Sequence, residues 1–253
     1  MKLTDGVYGY VWSGQGNGCN SYAIRYDVNG QQRYLVVDPG QRRVLAPALQ
    51  PMRGGMASYV EEPALDILLG QMARDGIAPE EIGLIVCTHC HPDHCEAALQ
   101  LKLQRGAPVA VHENEREAFV RVSTESYGGS NGKPSVEMEP DIFLDEGELL
   151  LGTPNPVSLR IIHTPGHSSG SISIYWPDKR TLIAGDVVFY RNVGRTDFPG
   201  GDARTLRESV SKLAELDVEY LLTGHPYEHP GVIVGRREVE TNFRYVLLSV
   251  LRF

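Results

Sequence analysis

Four nitrogen and oxygen donors fall within six residues in Thr88-His89-Cys90-His91-Pro92-Asp93-His94. A run this dense in imidazole and carboxylate reads as a metal site, because neutral histidine and ionised aspartate suit zinc, iron and manganese. In extended chain, side chains two residues apart point the same way, so His89 and His91 can grip one ion. The turn at Pro92 swings Asp93 and His94 toward a neighbouring position. Two blander readings stand beside this one. Three histidines at a strand end could be ordinary hydrogen-bonded polar residues. A closed structural zinc site could use Cys87, Cys90 and Cys95, although it wants a second ligand pair from elsewhere and only Cys19 remains. Cys90 is expected to point away from His89 and His91.

Three later stretches repeat one plan. Thr164-Pro165-Gly166-His167 places a histidine on a tight turn after a strand, Leu182-Ile183-Ala184-Gly185-Asp186 ends a strand in a carboxylate, and Leu221-Leu222-Thr223-Gly224-His225 ends one in a histidine. Each alone is weak, since a lone His or Asp at a strand end is commonly structural. Together with the first run they supply seven donors, all at strand ends, where α/β sites collect. The sequence holds neither a G-x-S-x-G stretch nor a P-loop. Of the other histidines, His112, His163 and His229 are expected to be structural, with His163 the best placed to orient His167.

These donors need rigid elements behind them. Ile82 to Cys87 is a largely apolar strand leading into the dense run, and Asp93 to Arg105 is helical, with Pro92 as its starting residue and Gly106 as its stop. Upstream, Val7 to Trp12, Ser21 to Tyr26 and Arg33 to Val37 read as short strands separated by Gly14 to Gly18 and Asn29-Gly30. Leu65, Ile67, Leu68 and Met72 fall at helical spacing between Pro63 and Asp75. Downstream, strands are predicted at Pro108 to Val111, Val157 to Ile162, Ser171 to Trp176, Thr181 to Ala184 and Tyr220 to Thr223. Helices are predicted at Glu113 to Val122, Ala203 to Leu216 and Val232 to Leu251. Leu35-Val36-Val37-Asp38 and Leu182-Ile183-Ala184-Gly185-Asp186 echo each other as strands ending in an aspartate. Gln41 to Glu62 and Ser123 to Asp141 fit neither period and are expected to be surface loops. The whole, residues 1–253, reads as a single α/β domain.

Composition excludes several function classes. With 42% hydrophobic and 22% charged residues in 253, the chain is an ordinary globular protein, and four cysteines are too few for a disulfide scaffold. The net charge is −8 and no basic stretch is longer than pairs such as Arg42-Arg43, which disfavours a nucleic-acid partner. No apolar run approaches the roughly 18 to 20 residues of a membrane helix, and Met1 to Gly6 lacks the apolar core of a signal peptide. A cytoplasmic location, a small-molecule partner and no membrane partner are expected, and a homo-oligomer is compatible with the sequence.

The ordered set H-x-H-x-D-H, T-P-G-H, G-D, G-H resembles the metallo-β-lactamase superfamily, from Gly6 to about Phe243. That resemblance implies an αβ/βα sandwich, two mixed sheets flanked by helices, with a metal site at one rim. It implies two zinc ions, with iron or manganese as alternatives: one held by His89, His91 and His167, a second by Asp93, His94 and His225, and Asp186 bridging them. Asp93 and Asp186 are then the catalytic carboxylates, and a metal-bridging hydroxide the nucleophile.

Gly194-Arg195-Thr196-Asp197-Phe198-Pro199-Gly200-Gly201-Asp202 is similar to the corresponding stretch of glyoxalase II-like thioester hydrolases and of persulfide dioxygenases. By that likeness Arg195 and Tyr227 contact an anionic thioester or ester substrate, as in hydroxyacylglutathione hydrolases. The position two after the basic residue, tyrosine in those hydrolases, is Asp197 here. The alternatives are a persulfide dioxygenase with one iron on His89, His167 and Asp186, a lactonase or β-lactamase-type ring hydrolase, and a non-catalytic member. Only 38 residues lie between Asp186 and His225, too few for the inserted domain of the superfamily's nucleases.

Overall fold

The chain opens on an antiparallel meander of β1 (Lys2–Thr4), β2 (Val7–Tyr10), β3 (Ser21–Val28) and β4 (Gln31–Val37). Asn29 and Gly30 link the last two with φ of 53° and 85°, the left-handed pair that a tight two-residue hairpin requires. A computed structural model describes residues 1–47, 59–127 and 137–252. A small hairpin, β5 (Val44–Pro47) with β6 (Tyr59–Glu62), stands apart from the main sheets. There follow α1 (Ala64–Arg74), β7 (Ile82–Val86), α2 (Pro92–Arg105), β8 (Val109–Val111), α3 (Arg116–Tyr127) and β9 (Ile142–Phe143), with β7, β8 and β9 extending the first sheet in parallel from β4.

The second sheet comprises β10 (Gly147–Leu151), β11 (Val157–His163), β12 (Ile172–Trp176), β13 (Thr181–Gly185), β14 (Tyr220–Thr223) and β15 (Val232–Val234), in chain order, with only β13 and β14 parallel. Between those two runs α4 (Ala203–Ala214), and after β15 comes α5 (Arg236–Tyr245), continued by a π-helical turn over Val246–Val250.

The two-residue period of the strands sorts their side chains into layers. Leu35, Val37, Leu84 and Val86 meet Leu159, Ile161, Ile174 and Ile183 between the sheets, whereas Val36 and Ile85 turn to the outer side and meet Leu68, Met72, Leu99 and Phe119 of α1 to α3. Leu182 and Leu221 of the second sheet pack on Leu206, Val210, Val239 and Phe243 of α4 and α5. Four layers result, helices, sheet, sheet, helices, as the resemblance implies. Because both faces of β7 and of β4 from Tyr34 to Val37 are covered, these stretches are near-continuous apolar runs.

The differences from the sequence reading lie at edges and loops. Val232 to Val234 is not the start of the last helix but a strand, and Gly235 precedes the helix at Arg236. Gln41 to Glu62 is not all loop, since it holds the β5–β6 hairpin, and α3 runs on to Tyr127 where a loop was expected from Ser123. The Gly128-Gly129-Ser130-Asn131-Gly132 part of the second expected loop lies outside the described residues. Strands β1, β9 and β10 were not expected.

Burial makes a test of the layers. Leu159→Ala, between the sheets and fully buried, should lower the unfolding free energy by about 2–5 kcal/mol. Leu248→Ala, at a side chain 65% exposed, should change it by less than about 0.5 kcal/mol. Urea denaturation followed by tryptophan fluorescence measures both.

Candidate metal centre

All seven predicted donors meet at one rim of the sandwich. His89, His91, Asp93 and His94 come from the turn after β7 and the first turn of α2, His167 from the turn after β11, Asp186 from the end of β13 and His225 from the end of β14. His167 Nε2 lies 3.2 Å from His89 Nε2 and 2.9 Å from His91 Nδ1. His225 Nε2 lies 3.1 Å from His94 Nε2 and 3.3 Å from Asp93 Oδ2. Asp186 stands between the two groups: its Oδ1 is 3.3 Å from His94 Nε2, and its Oδ2 is 3.3 Å from His225 Nε2 and 3.5 Å from His167 Nε2. Ligand atoms lie within 4.8 Å of one another in each of three groups, His89-His91-His167, His89-His94-Asp186 and Asp93-His94-His225.

This arrangement fits divalent cations. Nitrogens bound tetrahedrally to zinc at about 2.0–2.1 Å are about 3.3 Å apart, close to the spacings seen. Asp186 Oδ1 is buried with no hydrogen bond to it, and a buried carboxylate oxygen demands a partner. Space is also reserved: a methyl group at Gly224 would collide with Asp186 Oδ1 and come within 3.0 Å of His94 Cε1.

The outer nitrogens fix the rings. His94 Nδ1–H donates to Asp38 Oδ2 at 2.9 Å, His167 Nδ1–H to the Arg195 carbonyl at 2.7 Å, His225 Nδ1–H to the Gly18 carbonyl at 3.1 Å and His89 Nδ1–H to Thr88 Oγ1 at 3.2 Å. With Nδ1 held by these bonds, Nε2 is the nitrogen turned toward the centre in all four; His91 presents Nδ1 instead. The Thr88 hydroxyl passes its own proton on to Asp38 Oδ2 at 2.7 Å, and the Thr88 N–H donates to Asp38 Oδ1 at 2.7 Å. Asp38 therefore orients two ligands at once. It does so from a φ of 50°, a conformation uncommon for any residue but glycine. The Glu115 carboxylate, also buried, accepts from Cys90 N at 2.8 Å, Ser168 Oγ at 2.6 Å and Gly170 N at 2.9 Å, fastening the His89-His91 turn to the His167 turn.

The electrostatics divide the centre. Burial drives His89 well below the usual histidine range, and burial with neighbouring His167 takes His91 to about 4, so both are neutral donors. At His94 and His225 burial works the same way but is overcome: Asp186 lifts His94 well above the usual range, and Asp186 with Asp93 lifts His225 to about 9. In return His94 and His225 hold Asp186 well below the ordinary carboxylate value against its burial.

Arg195 and Tyr227 lie on the mouth rather than at the donors. Tyr227 stacks on His225, centroids 4.7 Å apart, and its hydroxyl donates to Asn17 Oδ1 at 2.9 Å; Asn17 Nδ2 donates to Asp93 Oδ2 at 2.8 Å. Phe198 and His91 meet edge to face with centroids 5.1 Å apart, and the Arg195 guanidinium carbon lies over the Phe198 ring at 4.3 Å. His163 does not orient His167: it stacks on His112 at 4.2 Å and bonds the Ser169 carbonyl. His229 stacks on Tyr190. Cys87, Cys90 and Cys95 are buried in the layer beneath the helices, and the ligand groups among the described residues contain no cysteine. Sequence reasoning missed Asp38, Thr88, Glu115 and Asn17, although the echo between the strand ending in Asp38 and the strand ending in Asp186 was a usable signal for the first.

Comparison with known proteins gives concordant findings. The family model described as Metallo-beta-lactamase superfamily matches residues 14–225. The chain is 37% identical over 144 residues to a probable metallo-hydrolase, YqgX, of Bacillus subtilis, covering 56% of this chain and 67% of that protein. It is 36% identical over 146 residues to hydroxyacylglutathione hydrolase GloC of Haemophilus influenzae, covering 56% and 68%. The crystal structure of BLEG-1, a B3 metallo-beta-lactamase, superposes with a TM-score of 0.59 at 27% identity, covering 82% of this chain and 86% of that one.

Two substitutions separate ligand from support. Asp186→Asn should cost at least one metal per chain in elemental analysis. Asp38→Asn, which leaves every donor atom in place, should weaken metal affinity by about 10 to 100-fold in competition with a chromogenic chelator. Cys90→Ala should retain the wild-type metal content.

Proposed function

The chain belongs to the metallo-beta-lactamase superfamily, and on that footing we propose that it is a metal-dependent hydrolase that cleaves a thioester or ester, in the manner of hydroxyacylglutathione hydrolases. The observation that carries this reading is the meeting of two complete donor groups at one carboxylate, Asp186. His89, His91 and His167 would hold one cation, Asp93, His94 and His225 the other, with Asp186 facing both; zinc suits this nitrogen-rich set, and iron or manganese could replace it. A pair of such ions, when bound, acidifies a shared water and polarises the acyl oxygen.

The chain's own groups do the rest. Asp186, buried, keeps its negative charge between the two donor groups. Asp93 opens onto the mouth and is the carboxylate placed to hold a proton from an incoming water, while Asn17 fixes its rotamer through Oδ2. Burial, Asp186 and Asp93 push the Tyr227 hydroxyl up to about 12, so at neutral pH it remains a donor to Asn17 or to substrate. Tyr227 and Phe198 wall the mouth with aromatic surface, and Arg195 borders it. The name of the Haemophilus relative supports an acyl thioester as substrate class. A persulfide dioxygenase, the alternative, would use one iron on His89, His167 and Asp186.

The expected result is two metals per chain by elemental analysis, together with hydrolysis of a hydroxyacylglutathione thioester that a chelator abolishes and zinc restores. One iron per chain with oxygen consumption on a persulfide, and no thioester hydrolysis, would overturn the reading.

A further inference from the structure

Among the described residues placed at the mouth above, Arg195 is the cationic side chain, and its charge is already matched. Its Nε and Nη2 donate to Asp197 Oδ1 and Oδ2 at 2.8 and 2.6 Å, a side-on bidentate pair within one loop. The guanidinium carbon lies over the Phe198 ring, 4.3 Å from its centroid. The loop that carries the pair is not free to swing. The Arg195 carbonyl receives His167 Nδ1–H, and Asp202 N donates to the Gly166 carbonyl at 2.8 Å at the loop's far end. A substrate carboxylate arriving at Arg195 thus meets a carboxylate already there, on a rigid support, and like charges at that distance repel. Of the other mouth side chains, Asn17, Phe198 and Tyr227 offer amide, ring and hydroxyl, and Asp93 adds a second carboxylate rather than a cation.

We propose that Asp197 determines specificity: it occupies Arg195 so that the mouth favours esters and thioesters whose non-reacting part is uncharged and rests on Phe198 and Tyr227, over those that present a carboxylate there. This rests on the hydrolase reading of the preceding subsection and narrows it, replacing the anionic substrate expected from the likeness to hydroxyacylglutathione hydrolases with an uncharged one. Both residues of the pair are more than half exposed, so the pair adds little to stability and its removal leaves the fold intact.

The test uses the metal-loaded full chain as wild type, Asp197→Asn, Arg195→Ala and the double variant. Each is assayed with a hydroxyacylglutathione thioester and an uncharged aryl ester. Binding of an unreactive S-alkylglutathione is followed by calorimetry. Freed of its partner, Arg195 can make a charge-assisted hydrogen bond to substrate, so Asp197→Asn should raise kcat/KM for the glutathione thioester about tenfold, mostly through KM, and leave the aryl ester unchanged. Arg195→Ala alone should shift both substrates by less than about threefold, and in the double variant it should erase the gain. Unchanged S-alkylglutathione binding in Asp197→Asn, or a tenfold loss on the glutathione thioester from Arg195→Ala alone, would overturn the proposal. If Asp197→Asn tightens S-alkylglutathione about tenfold while no form cleaves either substrate, the hydrolase reading falls and the role of Asp197 stands.

Discussion

A single buried carboxylate, that of Asp38, is the constraint on which the centre depends. A carboxyl group out of water is costly unless it is hydrogen-bonded, and here three donors from two later segments reach it: Thr88 N–H, Thr88 O–H and His94 Nδ1–H. The backbone is held as firmly. Asp38 N–H donates to the Val86 carbonyl, and the Asp38 carbonyl accepts from Ser21 Oγ at 2.6 Å. That set of bonds compensates for a left-handed φ at a residue with a Cβ, an outlier of the sort that persists where the surroundings over-determine it. The end of β4 thereby dictates where the turn after β7 goes, and that turn together with the first turn of α2 bears four of the seven donors.

The same economy runs through the rest of the rim. Nothing about an isolated imidazole says which nitrogen will face a metal. The protein settles it by giving four of the five rings a main-chain carbonyl, a hydroxyl or a carboxylate on the other side. Glu115 does for the backbone what Asp38 does for the rings, tying the turn from the first sheet to the turn from the second through three donors. The donor groups are therefore assembled by their supports, and their mutual repulsion is held in check by burial-neutral rings on one side and paired charges on the other.

How much of this could be read in the sequence follows from the range of each interaction. The donors announced themselves because a metal site writes residue types into short segments: the dense run at His89 to His94, and glycine-flanked strand ends at His167, Asp186 and His225. The central strands β7, β12, β13 and β14 and the Tyr34 to Val37 half of β4 were legible because they are covered on both faces, and β11 by its buried Leu159, Ile161 and Ile162. The strands of the two main sheets that escaped, β1, β9, β10 and β15, are all edges. An edge strand has one neighbour, is short, and takes much of its definition from that neighbour rather than from its own pattern. Val232-Ile233-Val234 shows the ambiguity, since three apolar residues before a helix match a helical face as well as a strand. Asp38 carries only the faint mark of a strand ending in an aspartate, and Glu115 carries none, because their side-chain partners lie 25 to 56 residues away in the chain. The distinction between an orienting His163 and a stacked one likewise depends on His112, which no spacing rule connects to it.

The order of strands in the two sheets gives the centre a further property. The chain through Phe143 builds the first sheet and the chain from Gly147 builds the second. Every one of the three donor groups takes two members from the first half and one from the second: His89 and His91 with His167, His89 and His94 with Asp186, Asp93 and His94 with His225. Among the described residues, no group of three converged donors comes from one half alone. Ion capture is therefore a coincidence detector for docking, and the captured ion a rivet through the seam that favours the docked state by mass action. Chelation would loosen the seam between the sheets while leaving each sheet's own hydrogen-bonded ladders untouched.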